Sequence, residues 1–299
     1  MSSNHSNSSN ASKELVAAVD LGSNSFRMVI AKVIHSASGT QLQPIDTLRE
    51  SVRMASGLSE DKKLDQKSIQ RGLAAIHRFG DRLRGFNAKQ VRAVATNTLR
   101  VARNADEFIH EAEKLLGFPI EVVKGREEAR LIYIGASHDA PACDEKRFVL
   151  DIGGGSTEFI IGDGYEPKLL ESLYIGCVSY SQNFFPGGLV DAHCFKQAEL
   201  SARREIEAIT AQFLKSGWKQ SIGSSGTARA IAELIAQNGF NGPPHELPVD
   251  DMGGLITKEG LLALKNSLIE SVYIDRSTLL GLKNDRRPVL PGGLAIMLA

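Results

Sequence analysis

Residues 17–31, AAVDLGSNSFRMVIA, and residues 148–162, FVLDIGGGSTEFIIG, carry one pattern at a single offset (151 − 20 = 131). Asp20 aligns with Asp151, Gly22 with Gly153, Ser25 with Ser156, and Met28-Val29-Ile30 with Phe159-Ile160-Ile161. Such a repeat constrains the fold before any local propensity does, because it calls for two copies of one unit. Half-chain spacing suggests that the copies face each other across a cleft, each presenting its turn to it.

In the second copy, Phe148, Val149 and Leu150 enter Asp151, and Phe159, Ile160 and Ile161 leave, so Gly153, Gly154 and Gly155 make the reversal of a hairpin. Glycine permits positive φ and close approach of an external group. Successive bare amides in such a turn form a concavity for an anion, and Ser156 and Thr157 add hydroxyl donors. Phosphate is the expected guest. Asp151 and Glu158 flank the turn as hard oxygen ligands, which beside phosphate implies a divalent cation such as Mg²⁺. The plainer reading is a glycine hairpin with capping acids. The first copy differs at one informative position: Arg27 stands where the second has Glu158, offering a planar cationic fork instead of a carboxylate. An exposed strand arginine is the alternative there.

Between the repeats, residues 41–52 read as a strand, 65–83 as an amphipathic helix with Ile69, Leu73, Ile76 and Leu83 on one stripe, and 91–96 as a short strand. That strand runs into Thr96-Asn97-Thr98-Leu99-Arg100, a polar cluster at a strand's carboxyl end, where open α/β sheets place ligand residues. Arg100 is a second candidate phosphate clamp, with a solvated loop arginine as the alternative. Asn104 and Glu107 suggest a capping box, Gly117 a helix stop, and residues 120–123 a strand. GREEAR, residues 125–130, opens a helix. Its two glutamates satisfy the helix dipole, and a carboxylate so close to both turns also suits a general base for water. In the second half, residues 168–174 and 218–222 read as strands and 195–214 as a long helix. Residues 223–227, GSSGT, make a third glycine-and-hydroxyl turn, at a helix N-terminus suited to an anion. Residues 238–251 read as a surface loop and 257–268 as a helix.

The chain has 299 residues, is 42% hydrophobic and has a formal net charge of +0, so a polyanion must be met by locally concentrated basic groups. Residues 1–13 form a Ser/Asn tail expected to be disordered. No apolar run reaches the ~18 residues that a membrane span needs, and a cytoplasmic location is expected. Cys143, Cys177 and Cys194 have no paired spacing and are expected to be ordinary thiols. The histidines show no metal-binding spacing.

Taken together, VDLGSNSFR, ATNTLR, GREEARLIY, LDIGGGSTE and GSSGT, in that order, resemble the exopolyphosphatase and guanosine pentaphosphate phosphohydrolase family of the actin, Hsp70 and sugar-kinase superfamily. The resemblance runs from Leu15 onward. It implies an α/β protein of two ribonuclease-H-like (actin-like ATPase) domains with mixed sheets flanked by helices, here residues 14–133 and 134–299, and an active site in the interdomain cleft. It implies Mg²⁺-dependent removal of the terminal phosphate of inorganic polyphosphate, with room for a stimulating monovalent cation such as K⁺. Glu128 matches the family's water-activating base, Asp151 and Glu158 its metal-associated acids, and Arg27 and Arg100 its phosphate-binding arginines. Gly22, Ser23, Asn24, Ser25, Gly153, Gly154, Gly155, Ser156, Gly226 and Thr227 match its phosphate loops. The expected partner is polyphosphate or guanosine pentaphosphate (pppGpp), with no nucleic acid and with a homodimer compatible. Three alternatives stand beside this reading: hydrolysis of pppGpp itself, a kinase of the same superfamily, and a polyphosphate- or alarmone-binding module without turnover. Family members continue past PGGLAI, residues 291–296, so the second domain is expected to be incomplete at its C-terminal end.

Overall fold

The computed structural model describes residues 14–36, 39–140, 145–242 and 254–299. The expected tail, residues 1–13, Cys143 and most of the expected loop at 238–251 lie outside these. The first lobe contains β1 (Leu15–Leu21), β2 (Phe26–Ser36), β3 (Gly39–Glu50), α1 (Gln66–Arg82), β4 (Val91–Ala95), α2 (Asn97–Val101), α3 (Ala105–Leu116) and β5 (Ile120–Val122). After α4 (Gly125–Asp139) come β6 (Arg147–Ile152), β7 (Thr157–Asp163), β8 (Glu166–Leu173), α5 (Cys177–Phe184), α6 (Ala192–Ser216) and β9 (Gln220–Ser224). The chain then runs through α7 (Ser225–Gln237), α8 (Lys258–Ser271) and α9 (Leu290–Leu298).

The sheets have the orders β3-β2-β1-β4-β5 and β8-β7-β6-β9. In each, a three-stranded antiparallel meander is extended by a parallel strand beside its first member. The repeat is kept down to register. Asp20 pairs with Arg27, and Asp151 with Glu158. A β-bulge falls between Ile30 and Ala31 in one copy and between Ile161 and Gly162 in the other (161 − 30 = 131). Bulges re-aim a strand, so a matched pair repeats the same irregularity on the outgoing strand of each hairpin.

Each lobe closes its own core. Phe26, Met28, Phe79 and Phe108 are fully buried between the first sheet, α1 and α3. In the second lobe Ile161, Phe159, Phe195, Phe213 and Leu294 fill one side of the sheet. Ala129, Tyr133, Val149 and Ile160 close the other, beneath α4. Covered on both faces, β7 is buried from Thr157 to Gly162, which explains its unbroken apolar run. Helix α4 runs without a break through the domain boundary expected at 133/134, and its buried side packs on the second sheet. Of the apolar run at 294–299, residues 294–298 belong to α9, which packs against α5, α6, α7 and α8.

Asn104 precedes α3 as expected but makes no side-chain cap. Its amide instead accepts from the Leu64 N–H at 2.9 Å and donates to the Leu64 carbonyl at 3.1 Å. The strand expected at 218–222 is β9, two residues later, which brings Ser224 opposite Asp151.

Candidate active site

The two hairpin turns meet tip to tip. A Cβ on Gly154 would lie 2.8 Å from Ser23 Cβ, and one on Gly155 would lie 2.7 Å from Asn97 Oδ1. Only glycine lets the lobes approach this closely. In both turns the carbonyls are committed to neighbouring elements. Ala55 N–H donates to Ser23 O at 2.9 Å and Arg53 N–H to Asn24 O at 2.8 Å; Cys177 and Val178 N–H donate to Gly153 O and Gly154 O, each at 2.9 Å. The amides of Ser23, Asn24, Gly154, Gly155 and Ser156 donate to no backbone carbonyl among the described residues, which leaves N–H groups of the kind that bind an anion.

The side chains of the expected loops are less free than their backbones. Ser23 is buried, and its hydroxyl accepts from Thr98 N–H at 3.2 Å. Ser25 Oγ lies 3.4 Å from Arg49 Nε. Thr227 and Ser225 hydroxyls both donate to Ile152 O, at 2.9 and 3.1 Å, and so tie the start of α7 to the end of β6. Ser225 has φ 76° at this junction, a left-handed conformation that costs a non-glycine residue energy and concentrates at functional sites. Two buried amide atoms here, Asn24 Oδ1 and Asn97 Nδ2, have no hydrogen-bond partner among the described residues.

Asp20, Glu128 and Asp151 converge on the cleft between the lobes, a space of about 750 Å³ also lined by Gly22, Ser25, Arg27, Gly153, Gly154, Ser156, Gly226 and Thr227. Burial, then the charge of Glu128 and Asp151, pushes Asp20 up to about 7, against which Arg27 acts weakly. Its residue surface stays open to the cleft, so water reaches it although protein surrounds it. Asp151 is raised to about 6 by burial, offset by a hydrogen bond with Ser224. Glu158 does not line the cleft. It is 1% exposed, accepts from Ser172 Oγ at 2.9 Å, and burial and its acidic neighbours raise it well above the ordinary carboxylate range.

The adjacent glutamates of α4 separate cleanly. Glu127 forms a two-pronged pair with Arg130 at 2.8 Å on the outer face. Glu128 turns into the cleft, where Arg100 Nη1 donates to its Oε2 at 3.0 Å and to Val123 O at 2.8 Å. Burial raises Glu128, and Arg100 works against that rise. Arg100, expected as a phosphate clamp, thus has one guanidinium nitrogen engaged in holding Glu128, and it is not among the cleft-lining residues.

Among the described residues no three His, Cys, Asp or Glu side chains form a metal cage by themselves. Mg²⁺ usually takes one or two carboxylates and completes its shell with water and substrate phosphate. Crowded acids whose charge is held back by one another fit a divalent cation in that mode, with Asp151 and Asp20 facing the cleft and Glu158 behind.

Cationic groups line the same space: Arg27 and Arg49 from the first lobe, and Arg229, Lys283 and Arg286 from the second. Arg49, Arg229, Lys283 and Arg286 carry no motif and were not among the expected site residues. Asp20 was also missing, although the repeat aligns it with Asp151. No helix among the described residues is long and apolar enough to cross a membrane, and Cys177 and Cys194 are free thiols.

The family model for the Ppx/GppA phosphatase family matches residues 29–299. A Haemophilus influenzae protein named "Putative exopolyphosphatase" is 39% identical over 284 residues, covering 95% of this chain and 83% of that protein. A crystal structure of an exopolyphosphatase from Cytophaga hutchinsonii superimposes with TM-score 0.79 at 21% identity, covering 95% of this chain and 88% of the other. The Aquifex aeolicus family member does so with TM-score 0.72 at 24% identity, covering 95% and 88%. These two likenesses carry the fold, and the expected class of two ribonuclease-H-like lobes with mixed sheets flanked by helices is borne out. With the family model spanning most of the chain and a relative at 39% identity, the chain belongs to the Ppx/GppA phosphatase family.

Proposed function

We propose that this protein hydrolyses the terminal phosphate of inorganic polyphosphate, with Glu128 as the general base and Mg²⁺ as the cofactor. The observation that carries the reading is the placing of Glu128: fixed by Arg100 at 3.0 Å, it faces the cleft into which both amide-lined turns open. Phosphoryl transfer needs positioning and charge neutralisation more than covalent chemistry from the protein. Here the turn amides and Arg27 hold the terminal phosphoryl group, and Glu128 takes a proton from the attacking water. Burial makes Glu128 a stronger base than a solvated carboxylate, while Arg100 fixes its orientation. Asp151 and Asp20, with Glu158 behind, would hold Mg²⁺, which when bound supplies further neutralisation of phosphate charge.

The test is phosphate release from polyphosphate, pppGpp and ATP in parallel, with Mg²⁺ or with a chelator. Stepwise release from polyphosphate that stops on chelation is expected. Faster release from pppGpp would transfer the same chemistry to that substrate. Binding without release from any of the three would contradict hydrolysis.

A further inference from the structure

The turns and Glu128 account for a terminal phosphoryl group, but the cationic lining is larger than one phosphate requires. Five cationic side chains from two lobes line one cleft. Desolvation, then Arg286, with Arg27 and Arg229 adding smaller effects, lowers the proton affinity of Arg49, and Asp285 alone raises it. Gly226 is part of this arrangement, since a Cβ there would sit 2.2 Å from Arg286 Nη2.

One carboxylate oxygen stands among these arginines. Asp285 Oδ2 lies 3.9 Å from Arg49 Nη2 in the first lobe and 3.8 Å from Arg286 Nε in the second. Both separations exceed hydrogen-bond length, so the contact is Coulombic and readily exchanged, and the Asp285 side chain is 37% exposed. Glu233 is different: it lines the cleft itself, and its ion pair among the described residues is with Lys283 of its own lobe, at 3.5 Å.

We propose that Asp285 is a placeholder anion, set between the cleft-lining Arg49 and Arg286 of the two lobes until the inner phosphates of a polyphosphate chain displace it. The proposal rests on the polyphosphate reading above. It makes Asp285 a specificity-determining residue, because a ligand must bring enough negative charge beyond its terminal group to replace a carboxylate on two arginines. Short chains meet that competition with few charges and long chains with many.

The test is equilibrium binding of tripolyphosphate and of long-chain polyphosphate, with no divalent cation added, to the parent, Asp285→Asn, Arg49→Gln, the double variant and Glu233→Gln. Asp285→Asn is expected to tighten tripolyphosphate roughly 3- to 10-fold and long chains less, and the gain should be smaller in the Arg49→Gln background, where Asp285 has only Arg286 left to occupy. In turnover the gain should fall in KM. Unchanged or weaker tripolyphosphate binding by Asp285→Asn would overturn the proposal. So would an equal gain in both backgrounds, or an equal gain from Glu233→Gln, which would show a general field effect. A parent that binds neither polyphosphate would instead contradict the function itself.

Discussion

Asp20 faces Arg27 across β1 and β2, whereas Asp151 faces Glu158 at the matching step of β6 and β7. The backbone is the same, down to the bulge. In the first lobe an acid open to the cleft is partly balanced by an arginine; in the second, two acids sit together with burial raising both. The two pairs differ at one position only, an arginine in the first lobe against a glutamate in the second. On our reading both turns contact phosphate; the first lobe adds Arg27 and one metal-facing acid, Asp20, and the second adds Asp151 with Glu158 behind it.

The largest effect that separates the lobes should come from their aspartates. Asp151→Asn is expected to lower turnover about 10- to 100-fold at limiting Mg²⁺, with partial recovery as Mg²⁺ rises, because a hard anionic ligand is lost. Asp20→Asn should cost less, since Asp151 and Glu158 remain. Mg²⁺ titrations of phosphate release measure both, and identical Mg²⁺ dependence in all three proteins would reduce these acids to turn-capping groups.

The contact between the turns gives the second test. Gly154→Ala places a methyl 2.8 Å from Ser23 Cβ and 3.0 Å from Asn24 N, so the lobes must part; overpacking of this kind costs about 1–3 kcal/mol. Gly135→Ala, where the added Cβ meets nothing within 4 Å, is the matched control. Thermal melts should show a clear drop in the first and none in the second. Equal melts would mean that the turns are not in firm contact.

The smallest expected effect is on stability against pH. A carboxyl whose folded pKa is raised lets the native state hold a proton that the unfolded chain has released, so stability falls as pH rises between the unfolded value, about 4, and the folded ones, about 6 for Asp151 and about 7 for Asp20. Asp151→Asn should therefore melt roughly a few °C above the parent at pH 8 without Mg²⁺, and the gap should close near pH 4. Asp20→Asn should gain less, since water reaches that side chain. A variant less stable than the parent at pH 8 would mean that the acids are not repelling one another.

Much of this was legible in the residues. The 131-residue offset predicted two like hairpins because register and turn chemistry are local properties. The residues by themselves only shortlist Glu128 with Glu127, and the family resemblance points to Glu128; the physical difference between the two lies in Arg100 and Arg130, whose positions depend on how α4 lies on the second sheet. Glu158 sits at its expected place in β7, yet Ser172 of β8 closes over it, a consequence of strand pairing that no motif records. Arg49 and Arg286 are far apart in sequence and belong to no motif, and only the closure of two lobes puts both beside one Asp285 oxygen.

The central claim rests on Glu128, and the most direct measurement pairs polyphosphate turnover with polyphosphate binding in Glu128→Gln, with Glu127→Gln as the comparison. The amide keeps shape and loses the base, so turnover should fall on the order of 10²- to 10⁴-fold while affinity changes little, and Glu127→Gln should stay close to the parent. Full activity in Glu128→Gln, or a loss confined to Glu127→Gln, would contradict the account and place the base elsewhere.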